Sequence, residues 1–556
     1  MSRKVWFVAS FVLLVTVLSV VIVNAQGPRP GTRAPTTALG TGFTYQGQLK
    51  QSGALVNATC DAKFGLWDSS SGGAQVSGTS TQTLSIAVSN GLFTTSLDFG
   101  ATAFNGDARY LAIAVACPSG GSYTNLDPRE AVSPAPYALT SLYTAYKNVL
   151  VVTTTGGQYN SITAALNSIG TSASATNRYL IYVAPGTYTE TVTMKQYVDI
   201  EGAGELTTKI TQVGGTSVST GTVIGANNAE LRFLTVENTG GNSDAIAIYN
   251  GSASPRLTHI TATASGASAT NLGVYNNSSS SPTMTNVTAT ASGGSYNYGV
   301  YNASSSPTMT NVAATASGGS SINFGVFNQS SSSPTMTNVT ATGSGTGTIN
   351  YGVFNQSSSS PTMTNVTATA SGTGSYNYGV YNDSSSPRMT NVTASASGGD
   401  LNFGVDNYSS SSPTMTNVTA SASGGIYGSY GVLNDTSSSP TMMNVTASAS
   451  GGDSNYGVFN NSASPTIQNS VMSGSGGTVN YGIYNVAPSG IYTVTVNNSQ
   501  IKGSTNTIFN DNSSNNYTTR VGASLLSGGI VTGTGTLTCV GVYDENYASA
   551  GYTTCP

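Results

Sequence analysis

The residues with chemistry to offer are few and scattered. One histidine, His259, serves the whole 556-residue chain, and between it and Ile501 stand only five carboxylates, Asp383, Asp400, Asp406, Asp435 and Asp453. Hydrolysis at a carboxylate site needs a nucleophile or base with a second acid close by. The five aspartates recur in no repeated pairing, and a catalytic histidine would need an orienting partner that no repeat places beside His259. Asp406 interrupts an otherwise aromatic register of the repeats, with Arg388 one corner away in the preceding unit; a surface ion pair is the reading that this spacing supports. Cys60 and Cys117 fall in an N-terminal segment, and Cys539 and Cys555 in the last eighteen residues. Without a CxxC and with one histidine, no metal site is expected, nor any other cofactor. Local pairing as two disulfides in an oxidising compartment is expected instead.

Composition narrows the class. Charged residues are 7% of the chain, against roughly 25% in ordinary soluble domains. The 31 Tyr and 14 Phe, with regularly spaced Val and Met, argue against disorder. Net charge is −4, and Arg388 is the only Lys or Arg between Leu257 and Ile501, which excludes a nucleic-acid partner. The N-terminus reads MSRKVWFVASFVLLVTVLSVVIVNAQ, with Arg3 and Lys4 before an apolar run and a small-residue site at Val23-Asn24-Ala25. That pattern predicts a signal peptide over 1–25 and a secreted or cell-surface protein, touching membrane only through that segment. An uncleaved anchor is the other reading of a run this long.

Residues 26–40 (QGPRPGTRAPTTALG) form a Pro/Gly/Thr linker. Over 41–145, short alternating segments such as LSIAVSNGLFTTSLDFG and ARYLAIAVACP predict a small β-sandwich-like module. Its TGFTYQGQL, NGLFTTSLDFG and DPREAVSPAPYAL stretches resemble a module at the front of many exported bacterial proteins.

The rest is a repeat array. A proline recurs at 255, 282, 307, 334, 361, 387, 413, 440 and 465, so gaps run from 25 to 27 residues. Each unit carries two strand-like pieces, YGVYN and TMTNVTATA, between SSSP and SGG turns. One unit cannot bury its own face, so the units must stack as a β-solenoid of ~26 residues per coil. Two residues after each proline come Leu257, Met284, Met309, Met336, Met363, Met389, Met415, Met442 and Ile467. Five after come Ile260 and then Val287, Val312, Val339, Val366, Val392, Val418 and Val445. Both columns read as core, and their odd separation demands a corner between them.

At that corner sit Asn286, Asn311, Asn338, Asn365, Asn391, Asn417, Asn444 and Asn469, with His259 in the same column. Amides about 4.8 Å apart can pass hydrogen bonds from rung to rung. The competing reading is glycosylation at NVT sequons, but an amide bonded on both sides is not free for a sugar. Tyr298, Phe324, Tyr351, Tyr378, Phe403, Tyr430, Tyr456 and Tyr481 precede the recurring glycine. Tyr301, Phe327, Phe354, Tyr381, Phe459 and Tyr484 follow it by two and are expected to point outward, where an exposed strip could bind carbohydrate or a partner surface. Stacking from rung to rung is the alternative.

Residues 146–250 carry a family resemblance. Gly157-Gln158-Tyr159-Asn160-Ser161-Ile162, Gly186-Thr187-Tyr188-Thr189-Glu190, Gly202-Ala203-Gly204 and Thr208-Lys209-Ile210 are similar to the opening of pectinesterases and related pectin-lyase-like proteins. The resemblance implies a right-handed parallel β-helix, with a first strand at Gly157–Ile162 and a cap helix at Thr163–Ile169. The chemistry of that family does not follow. Asp244 stands where pectinesterases carry a glutamine, and no QDT, DFIFG-like or GRxW stretch occurs after Leu150. Asp244 is the one weak catalytic candidate. Regular repeats fill 251–500, and 501–556 resembles the tail of exported bacterial β-helix proteins, with Cys539 and Cys555 stapling a cap over exposed strand edges.

The expectation is therefore an all-β chain of roughly fifteen coils, or ~70 Å of rod at ~4.8 Å each. Its leading role is a non-catalytic surface spacer or adhesin-like module with polysaccharide or another surface protein as partner. The alternatives are a pectinesterase-like ester hydrolase acting on pectin and a self-associating fibre.

Overall fold

The computed structural model describes residues 42–100, 103, 109–132, 146, 148–214, 219–511, 516–549 and 555. The expected signal segment and linker lie outside these residues. The chain divides into two compact units, Met1–Thr144 and Ala145–Pro556.

In the first unit, Gln82–Val88, Ala58–Trp67, Tyr110–Ala116 and Thr124–Ala131 form a four-stranded antiparallel sheet in that order. Phe43–Gln48 pairs antiparallel with Leu92–Leu97, and Lys50–Gln51 with Ala54–Leu55. Alternation puts Cys60, Ala62, Phe64, Leu111 and Leu97 into one shared core. Cys60 is bonded to Cys117 there, across a Cα–Cα distance of 4.6 Å.

The second unit is a parallel β-solenoid. Strands containing YGV or its equivalents recur thirteen times, from Val223–Ile224 to Leu525–Gly533, each paired in parallel with the next. Thirteen coils give ~60 Å of axis, shorter than the length read from residue count, because the first coils are irregular and the tail closes the stack. Each regular coil has three sides rather than two. Thr335–Thr337, Thr340–Gly345 and Ile349–Gln356 are one such coil. The bend that splits TMTNVTATA is the corner asparagine, whose φ is +54° at Asn338. Asparagine tolerates this left-handed geometry better than any β-branched residue would.

The core columns stand where the periodicity puts them. Leu257, the seven methionines from Met284 to Met442 and Ile467 are fully buried, as are Ile260 and the valines five residues after each proline. Ala289, Ala291 and Val300 and their equivalents complete the interior. The repeat prolines close a corner; each lacks an N–H but offers its carbonyl to the next rung, as in Thr335 N to Pro307 O at 3.1 Å.

The first coils differ from the expectation in one detail. Gly157–Ile162 is not a strand; only Tyr159 bridges Val152, because Gly156 turns the chain at φ +70°. The first strand is Asn148–Val152, and the cap helix runs Ile162–Ser168. At the far end Cys539 and Cys555 are disulfide-bonded, with Cα atoms 5.4 Å apart.

Candidate functional site

The residues that carry the pectinesterase resemblance are here spent on folding. Glu190 accepts hydrogen bonds from Ile162 N (2.8 Å), Thr163 N (2.9 Å) and Ser161 Oγ (2.8 Å). Its carboxylate therefore satisfies the orphan N–H groups that begin the cap helix. Tyr188 is buried and donates to Ala184 O at 2.9 Å. A side chain at Gly186 would meet Thr154 Cγ2 at 2.5 Å. The GTYTE motif is thus a fastening between first coil and cap.

The charges of the first coils are paired among themselves. Arg178 binds Asp199 at 2.8 Å, Arg232 binds Glu201 at 2.6 Å and Glu230 at 2.8 Å, and Lys209 binds Glu237 at 3.2 Å. Tyr146 donates to Asp199 Oδ2 at 2.5 Å. Asp244 opens the strand Asp244–Gly251, accepts from Ser243 Oγ at 3.0 Å and pairs across the rung with Thr270. No second carboxylate or base is hydrogen-bonded to it among the described residues. Among those residues, no three His, Cys, Asp or Glu side chains converge as metal donors.

His259 caps the corner ladder. It adopts φ +52°, its ring stacks on Phe233 with centroids 5.0 Å apart, and Nε2 lies 3.0 Å from Asn286 Nδ2. From there Asn311, Asn338, Asn365, Asn391, Asn417 and Asn444 each donate Nδ2 to the preceding Oδ1 at 2.9–3.1 Å. Two further ladders, which the sequence reading missed, run inside the solenoid. Asn250, Asn276, Asn302, Asn328, Asn355, Asn382, Asn407, Asn434, Asn460, Asn485 and Asn510 form an unbroken chain of bonds of 2.7–2.9 Å. Asn271, Asn297, Asn323, Asn350, Asn377 and Asn402 form the second, at 2.9–3.0 Å. The visible signal was the same one used at the corner, an amide at an identical place in every unit.

The aromatic columns combine into one stack. From Tyr298 through Phe324, Tyr351, Tyr378, Phe403, Tyr430 and Tyr456 to Tyr481, ring centroids are 4.7–5.3 Å apart and planes within 4–13°. Tyr301, Phe327, Phe354 and Tyr381 stack beside them at 4.9–5.0 Å. Phe459 and Tyr484 resume that second column at 4.9 Å, beyond Asp406 and Leu433. The rings form a cluster separate from the interior core. They are less exposed than expected: Phe327 and Phe354 are buried, and the four tyrosine and phenylalanine partners are half-buried. Rung spacing is close to ring-stacking distance, so rings in every rung cover each other's faces. Their edges, with Tyr296, Tyr376 and Tyr408 alongside, are what solvent meets. Burial pushes the phenols of Tyr298, Tyr351 and Tyr378 well up, and that of Tyr275 to about 12.

Asp406 does not form the surface ion pair expected with Arg388. It replaces a ring in the second column, is 5% exposed, and its Oδ1 has no hydrogen-bond partner. Burial first, and then the negative charges of Asp435 and Asp383, hold its carboxyl well above the usual range. The folded chain keeps this proton where the unfolded chain has released it. The stability contributed is thus complete below the unfolded carboxylate pKa of about 3.9 and is lost as pH rises through the raised folded value. Asp406→Asn should gain on the order of 1 kcal/mol or more over wild type at pH 8 and little at pH 3.5, read from denaturation midpoints at both pH values.

Two depressions of the solenoid offer no acid–base pair. One, of about 490 Å³, is lined by turn glycines with Ile426 and Asp453; the other, about 260 Å³, lies beside Ser161 and Glu190.

Comparison with known proteins adds little to this geometry. Residues 44–129 match a family described as a domain of unknown function (DUF8740). No curated protein matches the chain. Among solved structures, the chain is similar to the mannuronan C-5 epimerase AlgE6 A-module of Azotobacter vinelandii, at 15% identity and TM-score 0.36 over 70% of this chain and 95% of that one. It is similar to a pectin methylesterase from Yersinia enterocolitica at 14% identity and TM-score 0.29, over 41% of this chain and 90% of that one. Pectate lyase Pel9A matches at 16% identity and TM-score 0.34, over 54% and 79%. None of these likenesses carries a residue role over to this chain.

Proposed function

We propose that this protein is a secreted or surface-held spacer, a stiff β-solenoid that presents its side faces to a polysaccharide or another surface protein rather than transforming a substrate. One observation carries the reading: every regular rung commits its asparagines and rings to bonding the next rung. Side chains used this way resist bending and shear of the stack, which is what a spacer requires. Glu190, which caps a helix, and Asp199, Glu201, Glu230 and Glu237, which pair with Arg or Lys, support the same reading. For carbohydrate, the candidate contacts remain Tyr301, Phe327, Phe354, Tyr381, Phe459 and Tyr484, through ring edges rather than faces, with Tyr296 and Tyr376 as the more exposed neighbours.

The direct test incubates the purified chain with highly methylated pectin and measures methanol against a boiled control. No release above the control is expected. Methanol release that disappears in Asp244→Ala would replace this reading with a pectinesterase-like hydrolase. A single monomer peak in light scattering over a concentration series separates the spacer from a self-assembling fibre.

A further inference from the structure

The side of the solenoid opposite in character to the aromatic stack is a lattice of threonines. On the TMT strands, Thr283, Thr308, Thr335, Thr362, Thr414 and Thr441 are exposed and stand in one column. Thr285, Thr310, Thr337, Thr364, Thr390 and Thr416 are half-exposed and form the second. The pairing between rungs has no register shift from Thr283 to Thr441. Rows are therefore ~4.8 Å apart along the axis, and the two threonines of one row are ~6.7 Å apart. Arg388 is the only charge in this array, and Met443 ends it.

Three properties make this array a recognition surface. None of the twelve threonine hydroxyls donates to or accepts from another group of the chain among the described residues. Both margins are locked, by the buried repeat prolines on one side and by the corner asparagines on the other, at φ between +53° and +54° from Asn286 to Asn444. The inward residue of each row, such as Met336 or Met363, is fully buried, which anchors the strand beneath. The result is a rigid two-dimensional grid of alternating hydroxyls and methyls, uncharged except at Arg388.

A complementary partner must itself repeat in two dimensions at these spacings and carry neutral hydrogen-bonding groups. A globular protein without repeats or a soluble glycan does not repeat so; a second copy of this chain would, and the light-scattering series tests for that. A charged mineral would call for carboxylates, which this side lacks. Crystalline ice is a neutral hydrogen-bonding lattice that repeats in two dimensions on this length scale. Burial of the methyls against such a solid surface supplies a hydrophobic gain, while each hydroxyl keeps its hydrogen bonds. We infer that the TMT side binds the surface of ice crystals. This goes beyond the spacer reading and does not depend on it, since the aromatic stack takes no part.

The test uses the full chain in a nanolitre osmometer, with ice-crystal shape and the gap between melting and freezing temperatures as readouts. Wild type should produce faceted crystals and a measurable gap. Thr283→Lys with Thr335→Lys, both exposed and separated by Thr308, should reduce the gap to the buffer level while leaving the thermal unfolding transition unchanged. Tyr376→Ala, in the aromatic face, should keep it. Rounded crystals and no gap from folded wild type would overturn the inference, as would a gap that survives the double lysine variant. Retention of wild type on crystalline cellulose or chitin, with ice left unshaped, would reassign the grid to an ordered polysaccharide and also overturn it.

Discussion

Gly352→Ala should destabilise the solenoid by about 3 kcal/mol, the upper part of the range for an overpacked core. Removing a glycine from a strand ordinarily stabilises it by restricting the unfolded chain, so the predicted sign is reversed. The reversal comes from where the new methyl would go. A Cβ at Gly352 lies 2.5 Å from Gly379 O, 2.6 Å from Thr369 N and 2.8 Å from Ala368 C. All three are backbone atoms, so no side chain can rotate away. The same is true of Gly299, Gly325, Gly379, Gly404 and Gly431, each within 2.5–2.9 Å of three backbone atoms of the next rung and the facing strand. The recurring glycine therefore sets how closely the TATA and YGV sides approach. Solenoids often unfold in parts, which makes a single midpoint ambiguous. Amide exchange is the sharper readout: protection should fall first at Thr369 and Gly379, the rungs that the methyl would push. Unchanged exchange there would mean that the two sides are not packed this tightly.

How the sequence led to this fold, and where it stopped, follows from what repetition can reveal. Met336 and Val339 and their equivalents were legible as core because an apolar residue at one place in every unit has no other use. The corner was legible because three residues separate those columns, an odd spacing that a straight strand cannot bury. Asn350 and Asn355 were not, although they are fully buried. Polar residues in a β pattern read as outward, and the glycine before Val353 breaks the alternation that would have shown otherwise. Both Gly352 and Val353 are buried in succession, which turns Tyr351 and Phe354 to the same side. Exposure of the rings was misjudged for a related reason: a single rung leaves Phe354 open, and only its neighbours at rung spacing cover it. Asp406 follows the same logic: its place in one rung reads as surface, and the neighbouring rungs leave it 5% exposed. A catalytic or binding role left even less trace. Repetition reports what one rung does for the next, and a site that depends on a partner outside the chain need not repeat with it.

The ladders allow a second large effect, and a contrast within one rung type. Asn355 accepts from Asn328 Nδ2 and donates to Asn382 Oδ1, both at 2.8 Å and all three residues fully buried. Asn355→Ala removes both bonds and leaves one donor and one acceptor stranded where water does not reach. Each orphan costs roughly 1–3 kcal/mol, so a loss of ~3–5 kcal/mol is expected with the small cavity included. Asn365 makes the same two bonds at the corner, both 3.1 Å, but it is exposed. Water can replace its partners, and what remains is the φ of +54°, which costs an alanine roughly 1–2 kcal/mol. Asn365→Gly should recover most of that, because glycine accepts the left-handed conformation freely. The order of denaturation midpoints should therefore be wild type, Asn365→Gly, Asn365→Ala and then, well below, Asn355→Ala. An Asn355→Ala protein as stable as Asn365→Ala would mean that water enters the interior ladder, and that the amides there stiffen the rod far less than their burial implies.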